Sequence, residues 1–267
     1  MSYYKVLGLD NEPFSTSPDP HYFYESKNHR AALANLVIEM RLKRGLSVVL
    51  GEVGTGKTTL GRKLIQMLKD RDGFIFQLIL DPSFSDEITF MQALSKLFDL
   101  DVRSSFGQTP SLWDYKEAFQ RFLYHAVIQD RKTIVLIIDE AQKMNQACLE
   151  ILRMFLNYET NSYKLLQVVL LGQTELLPVL HSMPNFMDRI SFKCLLEPLD
   201  AAETKAMIDF RLRQAGFKAK YELFLEDALQ EIQTVAQGYP RKTAMVCHRA
   251  LKNIVMNNQA CVSARSI

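Results

Sequence analysis

The run Gly51-Glu-Val-Gly-Thr-Gly-Lys57-Thr58 constrains this chain more than any other stretch of it. The short apolar segment Leu46-Ser-Val-Val-Leu50 leads into it, and Leu60, Leu64, Met67 and Leu68 follow at helical spacing. A strand that turns through glycines into a helix leaves backbone N–H groups aimed outward at the helix start, where no carbonyl of the helix can satisfy them. Such a concavity attracts an anion, and the helix dipole adds to the attraction. The spacing G-x-x-x-x-G-K-[ST] is that of a phosphate-binding loop, with Lys57 as the cation for the β- and γ-phosphates and the Thr58 hydroxyl as a magnesium ligand. The expected nucleotide contacts are Gly51, Glu52, Val53, Gly54, Thr55, Gly56, Lys57, Thr58 and Thr59.

The segments around this loop predict its setting. Strands are expected at 46–50, 74–80, 133–138, 165–171 and 191–195, and helices at 27–44, 57–70, 145–156 and 175–180. Two more helices are marked by Phe90, Leu94, Leu97 and Phe98, and by Tyr115, Phe119, Phe122 and Ala126. Strands alternating with helices predict the α/β class, a five-stranded parallel sheet flanked by helices as in P-loop NTPases. The alternation stops at Pro198. Asp200 is then an expected N-cap with Glu203 as its capping-box partner, and helical periodicity continues to the end, broken at Gly216 and at Gly238-Tyr-Pro240. The expected division is a nucleotide-binding domain over 1–198 and a small all-helical lid over 199–267. Before the first long helix, Pro13, Pro18 and Pro20 exclude regular structure, so Tyr22, Phe23 and Tyr24 read as a loop packed on the domain body.

A second chemical signal closes the third strand. Asp139 would hold magnesium, and Glu140 is placed to take a proton from an attacking water, which suits an ATP hydrolase and argues against a nucleoside kinase. No Asn-Lys-x-Asp guanine-reading motif occurs, so ATP is the expected nucleotide. Composition narrows the rest. A net charge of +2 is too small to point to nucleic acid or membrane. The four cysteines, Cys148, Cys194, Cys247 and Cys261, lack metal or redox spacing and read as reduced thiols of a cytoplasmic protein. The opening Met-Ser-Tyr-Tyr-Lys is followed by no apolar h-region, so no signal peptide is expected, and no apolar run reaches the roughly 18 residues of a membrane span, so membrane association is expected only through a partner. From Ile232 to Ile267 there are five basic residues and no acidic one, which keeps a DNA-associated role open beside that of an assembly switch with little turnover of its own.

Taken in order, these features resemble the AAA+ superfamily. The phrases "YYKVLGLDNEPFSTSPDPHYFYESKNHRAAL", "LGEVGTGKTTL", "IVLIIDEAQKM" and "QGYPRKTAMVCHRAL" resemble the ATPase module of the general secretion pathway protein A family across essentially the whole chain. The resemblance implies further roles. Gln173 would be the first sensor, touching the γ-phosphate or the water. Arg189 would be an arginine finger serving a neighbouring subunit of a homo-oligomeric ring, and Arg241 the second sensor on a lid helix. The segment Pro13 to His29 would pack against adenine. A protein partner from a secretion, pilus or similar assembly is implied too. Asp81-Pro82 departs from the family's usual Asn-Pro, and an ionised aspartate cannot donate the hydrogen bond by which an asparagine restrains the catalytic glutamate. Larger members continue into a transmembrane helix and a peptidoglycan-binding domain, so a stand-alone member or a piece of a longer chain is expected here.

Overall fold

The computed structural model describes residues 2–71, 73–104, 107, 109–219 and 221–267. Five strands, β1 (Leu46–Gly51), β2 (Phe74–Ile79), β3 (Thr133–Ile138), β4 (Leu166–Gly172) and β5 (Ile190–Leu196), form one parallel sheet in the order β2-β3-β4-β1-β5. Each lies within a residue of its expected position. Every residue of β1, β3 and β4 is buried, which is why these central strands are apolar on both faces. The edges differ: β5 alternates half-buried and exposed positions and carries an exposed Lys193, a charge that discourages edge-to-edge pairing. Because the strands are parallel, their carboxyl ends share one margin of the sheet. Register confirms it, with Leu50 opposite Gly172 and Ile138 opposite Leu170.

In chain order the helices are α1 (Tyr3–Val6), α2 (Lys27–Leu42), α3 (Lys57–Leu68), α4 (Glu87–Leu97), α5 (Leu112–Tyr124), α6 (Gln146–Phe155), α7 (Leu176–His181), α8 (Pro184–Met187), α9 (Ala201–Gln214), α10 (Glu226–Ala236) and α11 (Pro240–Met256). The chain divides into two compact units. One comprises Ala31–Gly51 and Lys63–Leu195 and contains the sheet. Its core is knitted by aromatic contacts between helices: the Phe119 ring of α5 lies 4.5 Å from Phe155 of α6 and 5.4 Å from Phe98, which caps α4. Burying each such ring contributes about 1.5–3 kcal/mol.

The other unit comprises Met1–Arg30, Glu52–Arg62 and Leu196–Ile267. Its core joins Ile208 and Leu212 of α9, Leu229 and Ile232 of α10, and Cys247, Leu251 and Ile254 of α11 with Leu9 and Phe14 of the proline-rich start. Phe14 is fully buried, edge-on to Phe224 at 5.8 Å; of the three aromatics expected to pack, Phe23 is buried, and Tyr22 and Tyr24 are half-buried. Asp200 caps α9 as expected, accepting the Glu203 N–H at 2.7 Å. The capping box does not close, however. The Glu203 carboxylate accepts the Lys27 N–H at 3.0 Å instead, because the first turn of α2 offers it an unsatisfied donor.

The turn before α11 depends on Gly238. Its φ is +73°, its carbonyl accepts the Leu199 N–H at 2.8 Å, and a Cβ there would collide with the Leu199 carbonyl oxygen. Gly8 has the same φ of +73° with nothing near its absent Cβ. Gly8→Ala therefore carries only the cost of left-handed backbone, on the order of 1 kcal/mol, whereas Gly238→Ala adds a steric clash and should lose at least about twice as much. Urea midpoints of the two variants test this, and equal losses would mean that the contact with Leu199 relaxes freely.

Candidate functional site

The phosphate loop turns on two left-handed glycines, Gly54 at φ +87° and Gly56 at φ +100°. Its inner side is organised by one carbonyl. Glu52 O accepts the Thr55 hydroxyl at 2.8 Å and the Lys57 ammonium at 3.1 Å. Thr55 and Lys57 are consequently buried, while Glu52 and Val53 are exposed. Lys57, Thr58 and Thr59 are the first three residues of α3, the turn whose N–H groups have no partner within the helix.

Two contacts hold this loop from outside. His29, only 1% exposed, lies with Nε2 2.8 Å from Thr55 O and Nδ1 2.8 Å from Ser26 Oγ. A carbonyl can only accept, so Nε2 carries the proton and Nδ1 accepts from the serine hydroxyl. Burial pushes the His29 pKa below its ordinary 6.5, an effect that the Thr55 carbonyl only partly opposes. Phe23 meets the His29 ring edge-on at 5.0 Å, and its ring would touch a Cβ placed on Gly56. The second contact comes from α11. Pro240 occupies its first position, where a missing N–H costs nothing, and the next N–H, that of Arg241, donates to Gly54 O at 3.2 Å. A Cβ on Gly54 would come within 3.1 Å of Arg241 Cβ, so this approach needs glycine.

The acidic pair belongs to the other unit and has its own geometry. Asp139 is buried at the end of β3, its N–H continuing the ladder to Ile79 O at 2.8 Å. Its Oδ1 accepts the Glu140 N–H at 2.9 Å. Glu140 is half-buried and left-handed, at φ 51°, a conformation that costs a non-glycine residue about 1–3 kcal/mol. Two amides hold its carboxylate: Gln142 Nε2 donates to Oε2 at 2.6 Å, and Gln173 Nε2 lies 3.4 Å from the same oxygen. Gln142 Oε1 in turn accepts the Gln173 backbone N–H at 3.0 Å.

A family model described as an AAA domain matches residues 40–180. The chain belongs to this AAA domain family. General secretion pathway protein A of Aeromonas hydrophila is 36% identical over 253 residues, covering 93% of this chain and 44% of that protein. The chain is thus an AAA+ module of the general secretion pathway protein A type that spans less than half of that relative's length. Among solved structures, the Aeropyrum pernix ORC2 protein superposes with a TM-score of 0.67 at 13% identity over 97% of this chain and 70% of that one. Cdc6p of Pyrobaculum aerophilum gives 0.69 at 18% identity over 95% and 68%. The Thermotoga maritima RuvB branch migration motor gives 0.59 at 16% identity over 90% and 66%. At these identities the likeness shows the fold.

The other residues singled out in this AAA+ module are placed as follows. Arg241 is exposed at the start of α11, and Gln173 directly follows β4. Arg189 is half-buried just before β5, and its guanidinium pairs with no described carboxylate, Asp188 included. Asp81 is engaged away from Glu140: its Oδ1 accepts the Ser83 hydroxyl at 2.6 Å and lies 3.5 Å from Lys143 Nζ. Among the described residues no group of three or more His, Cys, Asp or Glu could hold a metal, and no helix is long and apolar enough to cross a membrane. All four cysteines are free thiols. Two residues that matter here were not singled out from sequence. Ser26-x-x-His29 is a cap spacing that marks a side chain turned inward at a helix start. Gln142 is the polar position in Asp139-Glu-Ala-Gln142, two residues beyond the candidate base.

The neutral, buried His29 has a consequence for stability. Its folded pKa is depressed, so below pH 6.5 the unfolded chain binds a proton that the folded chain resists. The His29 contribution is therefore present above 6.5 and is lost as pH falls through the lower folded value. His29→Gln keeps an N–H donor without a titrating group. Urea midpoints from about pH 7 to about pH 5 should fall less steeply in this variant than in wild type. Parallel slopes would show that the acid sensitivity lies elsewhere.

Proposed function

We propose that this AAA+ module binds Mg-ATP and hydrolyses it, and that the reaction drives assembly or remodelling of a partner complex of the secretion or pilus kind. The observation that carries the hydrolytic reading is the setting of Glu140. Its half-buried carboxylate is held by neutral amides and pairs with no described cation, an arrangement suited to a base and unlike a structural ion pair. The phosphate loop supports the binding half of the reading. Glycines at Gly54 and Gly56 let the backbone approach phosphate, and Lys57 would exchange its Glu52 carbonyl for the β- and γ-phosphates.

Thr58 and Asp139 present oxygen donors, the kind magnesium takes, and would hold the ion together with phosphate oxygens. Bound there, magnesium would neutralise charge on the phosphates as they separate. Glu140 takes a proton from water, the water oxygen bonds the γ-phosphorus as its bond to the bridging oxygen breaks, and ADP and phosphate leave. Gln173 would orient the water or the γ-phosphate. Arg241 would contact the nucleotide from the start of the lid helix α11, and the segment from Pro13 to His29 would cover adenine.

Lys57→Ala should lose the thermal stabilisation that Mg-ATP gives wild type, about 2.7 kcal/mol at a hundred times the dissociation constant. Glu140→Gln should keep that stabilisation and lose turnover on the order of 10²-fold or more. An equal thermal shift in Lys57→Ala and wild type would remove the phosphate-loop assignment.

Arg189 supplies the case for a ring. A half-buried guanidinium without a described carboxylate partner is available to an anion from outside its own subunit, and one supplied in trans can contribute roughly 10³-fold or more in rate. Specific activity should then rise with protein concentration. Arg189→Ala and Glu140→Gln, each inactive alone, should partly restore activity when mixed, because some interfaces then carry both wild-type residues. A mixture as inactive as its components, at concentrations where rings form, would rule out an arginine acting across the interface.

A further inference from the structure

The Gln142 side chain hydrogen-bonds both the candidate base and the backbone of the candidate sensor. Its amide is used at both ends, donating to Glu140 Oε2 at 2.6 Å and accepting the Gln173 N–H at 3.0 Å. These two partners fix its orientation. A flipped amide would set its carbonyl against the carboxylate and its NH₂ against the Gln173 N–H, two repulsions in place of two hydrogen bonds. Its own backbone is anchored as well: Gln142 lies in a one-turn 3₁₀ helix, Ala141–Lys143, whose first residue is fully buried. Gly172, the last residue of β4, lies beside this amide: a Cβ there would stand 3.4 Å from Gln142 Oε1, at contact distance, and would crowd Leu176 at 2.9 Å.

We propose that Gln142 is a positioning residue: it orients the Glu140 carboxylate and couples it to Gln173, so that base and sensor respond as one element. This rests on the hydrolytic reading above. Both amides address Oε2, which fixes the plane of the carboxylate and so the direction of its other oxygen, Oε1. Without the Gln142 amide, only the long, weak 3.4 Å hydrogen bond from Gln173 remains, and alone it leaves the carboxylate room to turn. A base that wanders by an ångström loses rate and leaves nucleotide affinity alone.

The test compares Gln142→Met, Gln142→Glu and Glu140→Gln with wild type, at protein concentrations where specific activity has levelled off. Methionine keeps the shape and removes the hydrogen bonds. Its kcat should fall about tenfold or more, with KM for ATP and the Mg-ATP thermal shift unchanged. Glutamate at Gln142 would face Glu140 at hydrogen-bond distance. Two carboxylates so close share a proton, so the acid limb of the kcat–pH profile should move upward by about a unit or more, a change that a packing role would not produce. A wild-type kcat in Gln142→Met, or an unmoved acid limb in Gln142→Glu, while Glu140→Gln is inactive, overturns the positioning role alone. Wild-type turnover in Glu140→Gln overturns the hydrolytic reading and this role with it.

Discussion

A loop built to offer backbone N–H groups to phosphate has to be held in place by its carbonyls. That constraint organises the phosphate loop here. Glu52 O takes the Thr55 hydroxyl and the Lys57 ammonium, Thr55 O takes the imidazole of His29, and Gly54 O takes the first available N–H of α11. Each support comes from a different stretch of chain: the loop itself, the first turn of α2, and the last long helix. The amino-terminal segment and the carboxy-terminal helices thereby share a unit with eleven residues from the middle of the chain, Glu52–Arg62.

The acidic pair answers a different demand. On the proposed reading, in which the Glu140 carboxylate takes a proton, it must not be neutralised by a cation, yet it must not swing freely. Neutral amides meet both conditions, and a hydrogen bond to a charged group contributes about 1.5–3 kcal/mol. That is comparable to the about 1–3 kcal/mol that the left-handed backbone of Glu140 costs. The strain at φ 51° is thus carried by the same contacts that aim the side chain. An exposed ion pair could not do this: Asp81 and Lys143, 3.5 Å apart and open to water, make the kind of contact that contributes little.

Much of the architecture was legible because its signals are local. A strand apolar at every position is buried on both faces, and β1, β3 and β4 are. The loop from Gly51 to Thr58 can be read from its spacing because its shape follows from where glycine allows positive φ. Asp200 was legible as an N-cap for the same reason, its partner being three residues away. Glu203 was misread because the donor it takes, the Lys27 N–H, lies far away in the sequence and local spacing cannot show it.

What the sequence determined by itself was the strand order along the chain, the phosphate loop and the pair Asp139-Glu140, all consequences of backbone preferences over a few residues. Only the tertiary structure decided what holds them. His29 reaches Thr55 across 26 residues of sequence, Gln142 reaches Gln173 across 31, and Arg241 meets Gly54 at a separation that no periodicity encodes. The strand pairing of β3 with β4 sets how near Gln142 lies to the end of β4, because parallel neighbours end at the same margin of the sheet. A side-chain amide or imidazole looks the same in sequence whether it faces water or a buried partner, and the difference arises only when the chain closes around it.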